Sequence, residues 1–70
     1  MKIYIHKKSN KPYELITDNF MFKQNGVWIK ELCLYRTLYN NPDGEFYART
    51  REDFFENFST LNYPQIKKEE

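Results

Sequence analysis

Seventy residues, 40% hydrophobic and 30% charged, are enough for one small globular domain and too few for two. One cysteine excludes an internal disulfide framework, and one histidine beside it cannot complete a four-ligand structural zinc site. The formal charge of +1 lacks the whole-molecule footprint of a dedicated nucleic-acid binder, although residues 1–30 hold six lysines against two acids and residues 31–70 five bases against eight acids.

A chain this short buries only about 60% of the surface its unfolded form exposes, so its core must be small. Aromatic bulk is the available filler. Six Phe, six Tyr and one Trp make up 19% of the residues, and each ring can bury roughly 150–250 Å². No run approaches the roughly 18 apolar residues of a membrane span, and the start Met1–Lys8 is too charged for a secretory signal. A cytoplasmic protein is the expectation, in keeping with a lone thiol. Abundant Asn, Lys, Ile, Tyr and Phe beside a single alanine, Ala48, is the bias of an AT-rich coding sequence, as in low-GC bacteria and their phages.

From the amino terminus, Lys2 to Lys7 alternates, with Ile3 and Ile5 to one side and Tyr4 and His6 to the other, the period of a half-buried strand. Ser9-Asn10-Lys11-Pro12 breaks it, and Tyr13–Thr17 restarts as a second strand. Asp18-Asn19 punctuates again before a third strand over Phe20–Lys23. Asn25-Gly26 then predicts a hairpin, because both central positions of a type I′ turn need positive φ. Val27–Tyr39 follows with apolar residues on both parities. Its place after a hairpin turn favours strand, and its length predicts a bend near Lys30-Glu31. Asn41-Pro42-Asp43-Gly44 fits a type I turn into a fifth strand over Glu45–Arg49. A helix is predicted over Thr50–Phe58, capped by Thr50, with Glu52 and Asp53 in its first turn and an apolar stripe of Phe54, Phe55 and Phe58.

These elements predict a mainly β fold with one short C-terminal helix, a small SH3-like antiparallel barrel or half-barrel. The alternative is an α+β roll in which Ile29–Leu38 is helical. Residues 1–58 form the compact domain, and 59–70 are read as an extended, partly disordered tail.

Tyr13-Glu14-Leu15-Ile16, Glu31-Leu32-Cys33-Leu34-Tyr35-Arg36-Thr37-Leu38-Tyr39 and Phe46-Tyr47-Ala48-Arg49 followed by Phe54 or Phe55 resemble the small bacterial and phage proteins of the domain of unknown function 1653 type, over about residues 6–58. The resemblance implies a compact β-rich fold and brings no established activity. Phe20–Lys30 stands where that family shows a polar His-Ser-Glu-Thr-like stretch, and Arg49-Thr50 where it shows Arg-Pro.

Little in the sequence assembles for catalysis. His6 and Cys33 are the only possible thiolate–imidazole pair, and Cys33 sits between Leu32 and Leu34 in the most apolar run, where a small inert core residue is expected. Glu52, Asp53 and Glu56 read as ordinary acids of an amphipathic helix. Gly26 and Gly44 belong to turns, which leaves no phosphate-binding loop, and no cofactor or metal is called for.

A binding role is the expectation instead. Trp28, Tyr35, Tyr39 and Tyr47 fall with Arg36, Arg49 and Arg51 on segments predicted to be neighbours, and Trp, Tyr and Arg dominate interface hot spots. The leading reading is a non-catalytic module of phage-accessory or inhibitor type that binds a protein partner, with homodimerisation a further outlet for a short core. The alternative is nucleotide or single-stranded nucleic-acid binding, with Lys7, Lys8, Lys11, Arg36 and Arg49 on phosphates and the rings as stacking platforms.

Overall fold

The computed structural model describes residues 2–60. Its elements are β1 (Lys2–His6), β2 (Pro12–Gln24), β3 (Val27–Thr37), β4 (Phe46–Thr50), α1 (Arg51–Asn57) and β5 (Phe58–Thr60). All five strands belong to one antiparallel sheet of order β4-β3-β2-β1-β5, so α1 carries the chain from one edge to the other.

That crossover requires a curled sheet. Four strand spacings of about 4.8 Å would hold β4 and β5 roughly 19 Å apart in a flat one. Instead the guanidinium of Arg49 in β4 lies 5.3 Å over the ring of Phe58 in β5, and Tyr35 in β3 has its ring 5.2 Å from the same Phe58. The fold is therefore the mainly β, SH3-like half-barrel that the sequence predicts, with strand rather than helix over Ile29–Leu34 and on to Thr37.

Opposed residues on neighbouring strands share a face, which makes the concave side Tyr4, His6, Tyr13, Leu15, Cys33, Tyr35, Tyr47, Arg49 and Phe58. Phe54 of α1 is driven into it and is fully buried. Its ring stacks on Phe58 at 4.3 Å and meets Tyr35 at 5.1 Å and Tyr4 at 5.2 Å. Leu15, Cys33, Tyr35, Phe54 and Phe58 are the buried centre. Of the two sides of β1, the Tyr4/His6 side faces this core. Ile3 and Ile5 lie on the convex side, with exposed Phe46 and the Arg36–Glu14 ion pair.

Local chemistry accounts for the turns. Asn25 and Gly26 have φ of 51° and 79°, as a type I′ turn demands. At Asn41–Gly44 the amide of Gly44 donates to the Asn41 carbonyl at 3.4 Å, and Asn41 Oδ1 accepts from the amide of Asp43 at 3.1 Å. Thr50 Oγ1 caps α1 by accepting from the amide of Asp53 at 3.1 Å.

Several predicted boundaries move. Tyr13–Thr17 and Phe20–Lys23 are parts of one strand, β2, because Asp18-Asn19 forms a bulge rather than a turn: Thr17 pairs with Leu34 but Phe20 with Leu32, one residue too many on β2. The ladder also shifts between Leu15 and Thr17, opposite Tyr35 and Leu34, again with an extra residue on β2, and between Phe20 and Phe22, where the extra residue lies on β3 between Ile29 and Leu32 and Glu31 takes a left-handed φ of 58°, at the predicted bend. The helix stops at Asn57, and Phe58 begins a short strand that pairs with β1, His6 opposite Phe58 and Tyr4 opposite Thr60. The tail expected over 59–70 lies outside the described residues from 61 onward.

Candidate functional site

The concave sheet leaves one end of its aromatic floor open. There a groove of about 330 Å³ is lined by His6, Ser9, Lys11, Tyr13, Tyr35, Tyr39, Tyr47, Arg49 and Phe58. Register explains the gathering: Tyr35 lies opposite Tyr47, Cys33 opposite Arg49, and His6 opposite Phe58. The groove's polar atoms are largely engaged with one another. Tyr13 and Tyr39 join their hydroxyls at 2.6 Å, Arg49 Nε donates to the Tyr35 hydroxyl at 2.8 Å, and Arg49 Nη1 meets the Asp53 carboxylate at 3.1 Å. Asn41 Nδ2 donates to the Tyr47 hydroxyl at 2.7 Å, and that hydroxyl donates to the Gly44 carbonyl at 3.3 Å. Lys11 sets its ammonium 4.7 Å over the Tyr39 ring.

These surroundings set the titrations. Burial lowers the pKa of His6, helped by the positive charges of Arg49 and Lys8. Its Nδ1 accepts from the amide of Ser9 at 3.2 Å, which places the proton of the neutral ring on Nε2. Burial likewise raises Tyr13, with the Tyr39 hydrogen bond adding to it, and raises Tyr35 against the opposing pull of Arg49. Cys33 is fully buried and its thiol is pushed up by that burial, the opposite of an activated nucleophile. No group of three His, Cys, Asp or Glu side chains gathers as a metal site among the described residues, and no helix there is long and apolar enough to cross a membrane.

Of the aromatic and arginine residues singled out in the sequence, Tyr35, Tyr39, Tyr47 and Arg49 come together in this groove. Tyr35 is part of its buried floor at 4% exposure, so its ring face is not open to a stacking ligand. Arg36 lies on the opposite, convex face, bonded to Glu14 at 2.7 Å with Glu45 at 3.7 Å. Arg51 opens α1, inside the predicted helix and away from the groove, and its Nε donates to the Asp18 carbonyl at 2.7 Å, tying the helix start to the β2 bulge. Lys7 donates to the Glu56 carbonyl at 3.0 Å, while Lys8 and Lys11 are exposed beside it around the β1–β2 turn.

Trp28 stands apart from all of them. Beyond these irregularities, β2 and β3 continue as a two-stranded ribbon, Phe20–Gln24 against Val27–Glu31, which neither β1 nor β4 accompanies. Phe22 pairs with Ile29 and Gln24 with Val27 on one face, Lys23 with Trp28 on the other. Met21, Phe22, Val27 and Trp28 are 49, 40, 59 and 51% exposed. No family model matches the chain, nor does any curated protein or solved structure.

The ribbon was only half visible in the sequence. Asn25-Gly26 marks its turn, but the signal that it lacks a core is apolar residues on both parities of both strands, and that pattern also describes a buried strand. His6, Tyr13 and Phe58 also line the groove and were not singled out as binding residues, because their face is fixed by pairing with distant strands.

Proposed function

We propose that this chain is a non-catalytic binding module that acts by stoichiometrically occupying a protein partner. The observation that carries the reading is the ribbon: four large apolar side chains, each 40% or more exposed, on an arm that pairs with no other described strand of its own sheet. Isolated two-stranded hairpins are marginal in water, and clustered exposed apolar groups mark interaction surfaces. Such a role fits a cytoplasmic setting, where a lone thiol stays reduced, and the phage-accessory character suggested by composition and by the domain of unknown function 1653 resemblance.

The test is affinity purification of the intact chain from the cells that express it, after nuclease digestion, with the copurifying protein weighed by mass spectrometry. One protein at fixed stoichiometry is the expected result. Recovery of nothing would count against the proposal.

A second reading, nucleotide or single-stranded nucleic-acid binding, is favoured by the groove, where Lys11 and Arg49 flank the rings of Tyr39 and Tyr47. It predicts binding that nuclease removes and that weakens steeply with added salt, whereas the protein complex survives both.

A further inference from the structure

The ribbon carries exposed apolar groups on both faces, with Lys23 and Lys30 along it and Glu31 at its base. Between Asn19 and Lys30 the chain carries Lys23 and Lys30 and no carboxylate. Lys23 holds its ammonium 5.6 Å over the Trp28 ring, and neither lysine pairs with a carboxylate among the described residues. Trp28, Lys23, Met21 and Lys30 share one face by strand parity, while Phe22, Val27 and Ile29 share the other.

Three occupants compete for these faces, and area and charge separate them. A second copy meeting the uncharged Phe22 face would hide on the order of 300 Å² per chain, because Phe22 and Val27 are 40 and 59% exposed and their neighbours less so. The resulting total of roughly 600 Å² is half of the about 1,200 Å² at which specific interfaces begin, and it leaves Trp28 and Met21 wet. Pairing through the other face would bring two lysines of each copy together. An anionic bilayer surface takes one apolar face only, so seating the Trp28 and Met21 face on it would leave Phe22 and Val27 of the other face wet. Enclosing both faces of the ribbon, by contrast, removes on the order of 800 Å² from this chain, the share one partner contributes to an interface of ordinary size.

We infer that the ribbon Phe20–Lys30 inserts into a cleft of a different protein, one with apolar walls for Phe22, Val27, Met21 and Trp28 and with carboxylates at its rim for Lys23 and Lys30. This rests on the protein-binding reading above and goes further by fixing the surface and the chemistry of the partner. The base of the arm suits the task, since Arg51 fastens the Asp18 bulge to α1 and so sets the ribbon's direction from the body.

The test uses full-length chains with a benzophenone amino acid in place of Val27 or, on the convex face, of Phe46, photolysed in extract of the expressing cells. The cross-linked protein is then purified and titrated. Fluorotryptophan incorporated at Trp28, the only tryptophan, gives one fluorine NMR signal that reports the arm alone. Expected are an adduct from the Val27 position and none from Phe46, a fluorine shift on binding, and at least a tenfold loss of affinity when Lys23→Glu and Lys30→Glu are combined. The fluorine signal should stay unchanged with chain concentration, with a thymidine oligonucleotide and with phosphatidylserine vesicles. A change with any of those three overturns the inference in favour of that occupant. A protein that binds the double lysine variant as well as the parent, or cross-links only from Phe46, overturns the inference while leaving the protein-binding reading standing. The absence of any protein adduct removes both.

Discussion

Phe54 and Phe55 are neighbours on one helix with the same side chain, and replacing each by alanine separates the core from its surroundings. Phe54 is fully buried, with four rings around it, so Phe54→Ala loses the whole transfer term and leaves a cavity, together about 3–5 kcal/mol. Phe55 is 43% exposed and touches Tyr4 at 5.9 Å and Phe54 at 5.2 Å; losing about half of a ring's burial predicts about 1–2 kcal/mol. A domain of this size holds roughly 3–10 kcal/mol in total, so Phe54→Ala consumes most of it. With a urea slope near 1 kcal/mol/M, the midpoint should fall by about 3–5 M for Phe54→Ala and about 1–2 M for Phe55→Ala. Far-ultraviolet circular dichroism should follow the transition, because Trp28 is solvated at the arm and reports poorly on the core. Equal losses at the two positions would refute the placement of Phe54 as the plug of the half-barrel.

Three further outcomes follow from the same geometry. Cys33, fully buried with its thiol pushed up by burial, should react with iodoacetamide on the order of a thousandfold more slowly in the native chain than in urea; comparable rates would mean that the core with Phe54 and Phe58 does not enclose it. Thr50→Ala should cost about 1 kcal/mol through loss of the Asp53 amide bond, with Thr50→Ser restoring most of it in urea titrations. Because burial, then Arg49 and Lys8, hold the pKa of His6 below its usual value of 6.5, the unfolded chain takes up its proton first. Its contribution is therefore complete above about pH 6.5 and is lost as pH falls toward the folded pKa. Urea midpoints measured down to about pH 5 should show this decline, and His6→Gln should flatten it.

What could be read from the residues was local. Asn25-Gly26 declares its turn by backbone tolerance, Thr50 its helix start by a reachable amide, and Glu31 marks a bend that an overlong strand needs. Asp18-Asn19 shows the limit of such signals, since turn formers serve a bulge equally well and only the continuity of β3 decides between them. Alternation in Lys2–His6 gives two faces without saying that tyrosine rather than isoleucine points inward; that choice belongs to Phe54 and Phe58, more than forty residues away. The candidate site divides in the same way. Strand order brings Tyr35, Tyr47 and Arg49 together, but the Arg49–Tyr35 hydrogen bond, and the isolation of Trp28 beyond the register shifts of β2 and β3, depend on distances that no spacing rule encodes.

The pairing of β1 with β5 has a kinetic consequence. Loop closure disfavours contacts between distant segments, so the β1–β5 ladder and the docking of Phe54 and Phe58 should be late events, in the manner of slow-folding β topologies. During synthesis the four-strand meander emerges first, with Tyr4, Tyr13 and Tyr35 bare until α1 leaves the ribosome. Throughout that interval the nascent chain displays its sticky tyrosine face and the arm at once, and the docking of α1 and β5 relieves the former.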